Sequence, residues 1–249
     1  MVGCGARDPL APDSHGADTP EHTYRAAPRL DSARRLTDGS VALQGVSAPG
    51  SVVRLASPQG EAIRAETDGA GRWTLSLRRQ SVVRLMGLST GEAGRRLQSE
   101  GYLAITPEGR AAVLRAGAGA RTLWSPGTVP RILAIDFDRQ GGTVVSGQAR
   151  PGDALILQVD GAAGETGRAD VAGRFSMALD APLASGAHNI RVGVDGRFEQ
   201  LQAALTPAAP LLGQAYRASA TPLGWRIDWT TPGGGLQSTI LADFATGQP

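Results

Sequence analysis

Apolar residues along this chain recur at every second position, in short runs broken by Gly, Pro and Asp. Val53 and Leu55, Trp73, Leu75 and Leu77, Leu155, Leu157 and Val159, and Phe175, Met177 and Leu179 all follow that period of two. It is the mark of a strand with one buried face. Residues 131–137 form a denser apolar strand, and 188–194 alternate again. Turn signals fall between the runs. Pro107-Glu108-Gly109 sits between Leu103/Ile105 and Ala112/Leu114 as a hairpin loop would, and Asp195-Gly196 suits a two-residue type I′ turn. Only residues 91–99 offer a helical alternative.

Two of these stretches are one pattern used twice. Residues 45–77 align with 147–179 without a gap, at a constant offset of 102 residues from Gly45 to Gly147. The identical pairs include Gly45/Gly147, Pro49/Pro151, Gly50/Gly152, Leu55/Leu157, Asp68/Asp170, Gly71/Gly173, Arg72/Arg174 and Leu77/Leu179, with Trp73 matched by Phe175. A repeat of this length means that one supersecondary unit occurs twice. Each copy holds a Pro-Gly turn, an alternating strand, an Asp-x-x-Gly-Arg turn and a second alternating strand.

The pattern G-x-x-x-P-G, an apolar strand, then D-x-x-G-R-(W/F)-x-(L/M)-x-L resembles bacterial immunoglobulin-like and carboxypeptidase-regulatory-like (transthyretin-like) modules. The resemblance implies envelope or extracellular spacer and binding domains, and it carries no shared catalytic residues. Together with the alternation it leads to an all-β expectation: two tandem immunoglobulin-like antiparallel β-sandwiches, a disordered N-terminal tether and a C-terminal β-hairpin. The expected boundaries are a tether over 1–35, a first module over 36–125, a second over 128–205, and a linker with hairpin over 206–249 packed on the second module.

Composition narrows the function classes. All 25 basic residues are Arg, so a Walker A loop and a Schiff-base lysine are both excluded. Net charge is only +2, and the Arg34-Arg35, Arg78-Arg79 and Arg95-Arg96 doublets stand outside any nucleic-acid motif. No nucleic-acid partner is expected. The single cysteine, Cys4, follows small residues in Met1-Val2-Gly3-Cys4-Gly5, like the end of a bacterial lipobox, although no apolar leader precedes it. Residues 5–40 are polar and rich in Pro and Gly, a tether composition. Lipidation at Cys4 would place the protein in the periplasm or at the outer membrane, touching membrane only through that anchor. A true start at Met1 would leave it cytoplasmic.

Several short patterns resemble sites. Gly87-Leu88-Ser89-Thr90-Gly91 matches a nucleophile elbow and His188 follows downstream, but no βαβ alternation surrounds Ser89. Asp136, Asp138 and Gln140 begin like a calcium loop, yet Gly147 stands where the bidentate Glu belongs. His15 and His22 lie in the tether at poor ligand spacing, and His188 reads as a surface residue. No catalytic residue, metal or cofactor is expected. Trp225, Ile227 and Trp229 share one strand face, with Arg226 and Asp228 on the other. That face is expected either as a core seam against the second sandwich or as a stacking platform in which Trp225 and Trp229 bind glycan or peptidoglycan. The leading expectation is a non-enzymatic envelope scaffold or adhesion protein, with envelope proteins or cell-wall glycan as partners.

Overall fold

A computed structural model of the chain describes residues 26–92, 95–162 and 164–242; Cys4, His15 and His22 lie outside them. Among the described residues every regular element is a strand and every pairing is antiparallel, as the period of two anticipated. The first copy supplies β1 (Arg29–Arg35), β2 (Val41–Val46), β3 (Val52–Ala56), β4 (Ala62–Glu66), β5 (Arg72–Leu77), β6 (Arg84–Glu92) and β7 (Arg95–Ile105). Sheet A runs β1-β2-β5, and sheet B begins β4-β3-β6-β7. Leu43, Trp73 and Leu77 from sheet A close on Val53, Leu55 and Met86 from sheet B. β8 (Ala111–Arg115) and β9 (Gly119–Thr122) then extend sheet B past β7.

The second copy repeats the plan with β10 (Arg131–Asp138), β11 (Thr143–Gln148), β12 (Ala154–Val159), β13 (Glu165–Arg168), β14 (Arg174–Ala178), β15 (Gly186–Val194) and β16 (Arg197–Leu205). The strands β14-β11-β10 match sheet A, and β13-β12-β15-β16 (sheet D) match sheet B. Register agrees in the first hairpin as well. Arg29 faces Val46 with a bulge after Leu30, and Arg131 faces Gln148 with a bulge after Ile132. The structural repeat therefore starts before Gly45 and continues past Leu77. Ile135, Phe175 and Met177 meet Leu157, Ile190 and Val192 in a second core. Here the extension joins the other sheet. β17 (Tyr216–Thr221), β18 (Gly224–Thr230) and β19 (Leu236–Ala242) complete sheet C in the order β14-β11-β10-β19-β18-β17.

Three expectations change. β1 claims Arg29–Arg35, the last seven residues of the segment read as tether; Leu30 and Ala33 give it only a faint apolar phase, and sheet pairing with β2 supplies the rest. The C-terminal hairpin does not lie on the second sandwich but is built into it, because β19 pairs with β10. The described residues of the segment 91–99 carry the end of β6 and the start of β7 in place of a helix.

Two of the identical pairs, Gly45/Gly147 and Asp68/Asp170, are explained by backbone geometry. Gly45 pairs across the sheet with Trp73, and a Cβ there would lie 2.0 Å from the Arg29 carbonyl and 2.5 Å from the Trp73 ring. Gly147 faces Phe175 with the same crowding, 2.0 Å from the Arg131 carbonyl and 2.6 Å from the ring. Only glycine admits a bulged carbonyl and an aromatic ring together. In the turns, Asp68 Oδ1 accepts from the amides of Ala70 and Arg72, both at 2.9 Å, and Asp170 Oδ1 from those of Ala172 and Arg174, both at 2.8 Å.

Candidate functional site at the seam between the inner sheets

Sheets B and C meet face to face and form a third apolar layer. Leu85, Ala104, Ala112, Leu114 and Ala120 come from sheet B, and Ala134, Ile227, Trp229 and Leu241 from sheet C. Both inner sheets are thus covered on both sides. That accounts for the unbroken burial of Ile132–Phe137 in β10 and of 237–242 in β19, where alternation is lost.

Trp229 sits at the centre of the seam and is fully buried. Its ring meets Tyr102 of β7 edge-on, with centroids 5.7 Å apart and planes at 84°, a favoured aromatic geometry. Trp225, at the margin, is partly buried and donates from Nε1 to Glu108 Oε2 in the β7–β8 turn at 3.0 Å. The face bearing Trp225, Ile227 and Trp229 is therefore a seam against the first copy, rather than one against the second sandwich. As a stacking platform it fails at Trp229, whose ring has no exposed side to offer a sugar.

A buried polar chain crosses the same seam. Trp229 Nε1–H donates to Thr239 Oγ1 at 3.1 Å, and the Thr239 hydroxyl donates to Asp136 Oδ1 at 2.5 Å. Gln237 Nε2 donates to that oxygen at 3.0 Å, while Gln237 Oε1 accepts from the Gly117 amide of the β8–β9 turn at 3.1 Å. Burial pushes the Asp136 carboxyl up to about 6, and the bonds from Thr239 and Gln237 offset only part of that. Asp228, also buried, shows the opposite outcome. Burial alone would raise it, but hydrogen bonds from Arg217 and Ser238 and the Arg226 guanidinium outweigh burial and hold it below the usual carboxylate range. A cation in contact makes the difference.

Beside the seam, the outward face of sheet B floors a groove of about 600 Å³. Arg54, Ser89 and Gln98 line up across β3, β6 and β7, and Tyr102 and Arg96 flank that row. Among the described residues no carboxylate lines the groove. A bulge in β7 lets Gln98 and Tyr102 converge over Gly87, whose Cβ would lie 3.3 Å from Gln98 Nε2 and 3.7 Å from the Tyr102 ring. Ser89 is mid-strand in this wall, whereas His188 stands on β15 of sheet D. His188 is buried, not a surface residue. Its Nδ1 lies 2.7 Å from Asp160 Oδ2 and its Nε2 2.8 Å from the Ala184 carbonyl, and the Asp160 contact raises its pKa. The Ser89 and His188 motif does not assemble. Asp136 and Asp138 part likewise: Asp138 caps its own turn through Gln140 and Gly142, and no group of three metal-ligating side chains occurs among the described residues.

No protein-family model matches the chain, and no curated protein does. Among solved structures, one similar chain is a Ca2+-stabilized adhesin that helps an Antarctic bacterium reach out and bind ice. Identity is 13% over 87% of this chain and 66% of that one, with a TM-score of 0.23. A likeness of this size carries no argument about function.

Proposed function

We propose that this protein is a non-enzymatic structural or adhesion scaffold of the cell envelope, in which two sandwiches act as one rigid body. The observation that supports this reading is the seam. A spacer that presents a surface at a fixed distance needs units that do not hinge, and here an apolar layer and a buried polar chain join the two copies. The envelope location follows from the lipobox-like Met1–Gly5 and the polar stretch after it. Intact mass of the native protein from fractionated cells is the test. An acylated Cys4 as first residue supports the reading, and an unmodified Met1 in the soluble fraction removes the envelope part of it.

The glycan-binding alternative moves from the tryptophan pair to the groove, where Arg54, Gln98 and Tyr102 offer charge, amide and a ring. Retention on cell-wall material should fall by about tenfold or more in Arg54→Gln/Gln98→Ala, the loss of a charge-assisted hydrogen bond. Unchanged retention in that variant would end this alternative.

A further inference from the structure

Where β9 approaches sheet C, four arginines surround a hollow of about 290 Å³: Arg115 and Arg121 from the first copy, Arg168 and Arg174 from the second. Among the described residues one acid, Asp170, shares the lining, and its Oδ1 already accepts two amides of its own turn. Arg121 is half-buried and donates to the Leu30 carbonyl at 2.8 Å. Its pKa is lowered first by burial, then by the like charges of Arg174 and Arg115. Asp31 opposes this, but it is already paired with Arg29 at 2.7 Å.

The repeat supplies an internal control. Both copies hold the Asp-x-x-Gly-Arg turn. In the first, Arg72 Nε closes on Asp68 Oδ2 at 3.0 Å. In the second, Arg174 makes no such pair with Asp170 and lines the hollow near Arg121. A guanidinium that leaves its own carboxylate for like-charged neighbours raises the energy of the empty site, the more so away from bulk water. An anion shared by these side chains reverses that balance, and planar guanidinium forks match phosphate oxygens in pairs.

We propose that this corner binds a phosphate group, free or carried as a monoester, clamped between the two copies by Arg121 and Arg174 with Arg115 and Arg168 at its rim. The proposal deepens the rigid-scaffold reading, since the anion would tie the copies together, and it stands without the envelope location.

The test is thermal melting of the full chain in sodium phosphate and in sodium chloride at matched ionic strength. Phosphate at about a hundred times its Kd should raise Tm by about 5–10 °C. Arg174→Gln should abolish that rise and, without phosphate, melt no lower than the wild type, because a repulsion is lifted. Arg72→Gln, the first-copy counterpart, should keep the full response. A phosphate response no larger than that of chloride overturns the proposal. So does a full response in Arg174→Gln, or a fall in its phosphate-free Tm. Phosphatidylcholine vesicles with and without phosphatidic acid then separate the sources. Retention that needs both phosphatidic acid and Arg174 assigns the site to a lipid headgroup, and a phosphate response without retention assigns it to a soluble phosphate ester.

Discussion

The two copies share seven strands in one pairing order and the bulge in β1 and β10, and differ in the bulge of β7, which β16 lacks, and in which sheet grows. The first copy adds β8 and β9 to the sheet that holds β3, β6 and β7. The second adds β17, β18 and β19 to the sheet that holds β10, β11 and β14. Each extended sheet thereby gains an outward apolar face, and the two faces cover one another. Had both copies grown on the same sheet type, one extended face would have met an unextended sheet of three or four strands. The repeat supplies the sandwiches, and the departures from it supply the joint.

That comparison is tested most strongly at two tryptophans. Trp229 belongs to the joint, and Trp73 to the first core. Replacing either with Ala should remove about 3–5 kcal/mol, the usual loss for a buried aromatic. The shapes of the unfolding curves should differ. Denaturant unfolding followed by circular dichroism should split into two transitions in Trp229→Ala, because the copies lose their coupling. In Trp73→Ala the joint is intact, so a single transition should move to lower denaturant without splitting. A single unsplit transition in Trp229→Ala would mean that the joint is not what couples the copies.

Gly45 and Gly147 come next. Each Cβ would fall 2.0 Å from a carbonyl oxygen, so Gly45→Ala and Gly147→Ala should each cost about 2–3 kcal/mol by urea denaturation. Near-equal losses support equivalence of the copies. A loss confined to one would show that the other bulge yields.

These residues also show how far the sequence could be read. Gly45, Asp68, Gly71 and their partners were legible, because a backbone demand repeats wherever the unit repeats. β1 was not, since its strand state comes from pairing with β2 more than from its own side chains. Nor was the joint. An outward residue that meets a second sheet looks, in sequence, like one that meets its own core. Trp225, Ile227 and Trp229 were correctly placed on one face, but nothing local says which layer covers that face. The sandwich class needed only a period of two, while the seam, the groove and the arginine corner all depend on how separate sheets meet.

Asp136 sharpens the comparison at somewhat smaller scale. It stands in the joint without a contacting cation, and its folded pKa of about 6 lies above the value of 3.8 for a free carboxyl. The native state then holds the proton more tightly than the unfolded chain does. Stability from this residue is present at low pH and is lost as pH rises through 4 to 6. Between pH 4 and pH 7 the wild type should lose about 2–3 kcal/mol that Asp136→Asn does not. Paired melts of the two proteins at those pH values measure it, and parallel curves would show that the carboxyl is not strained in the joint.

The smallest expected effect separates the two Asp-x-x-Gly-Arg turns. Asp68 holds two amides and the Arg72 guanidinium, whereas Asp170 holds the two matching amides without an arginine pair. Hydrogen bonds from the Arg72 amide and side chain keep the Asp68 carboxyl below its usual range, so its contribution is present at neutral pH and is lost as pH falls through the lowered value. Asp68→Asn should therefore lower Tm slightly more than Asp170→Asn at neutral pH. Added salt should shrink the gap, because an exposed pair is screened. Equal losses, indifferent to salt, would make the two turns equivalent. They would also remove the asymmetry that sends Arg174 toward the arginine corner while Arg72 stays at home.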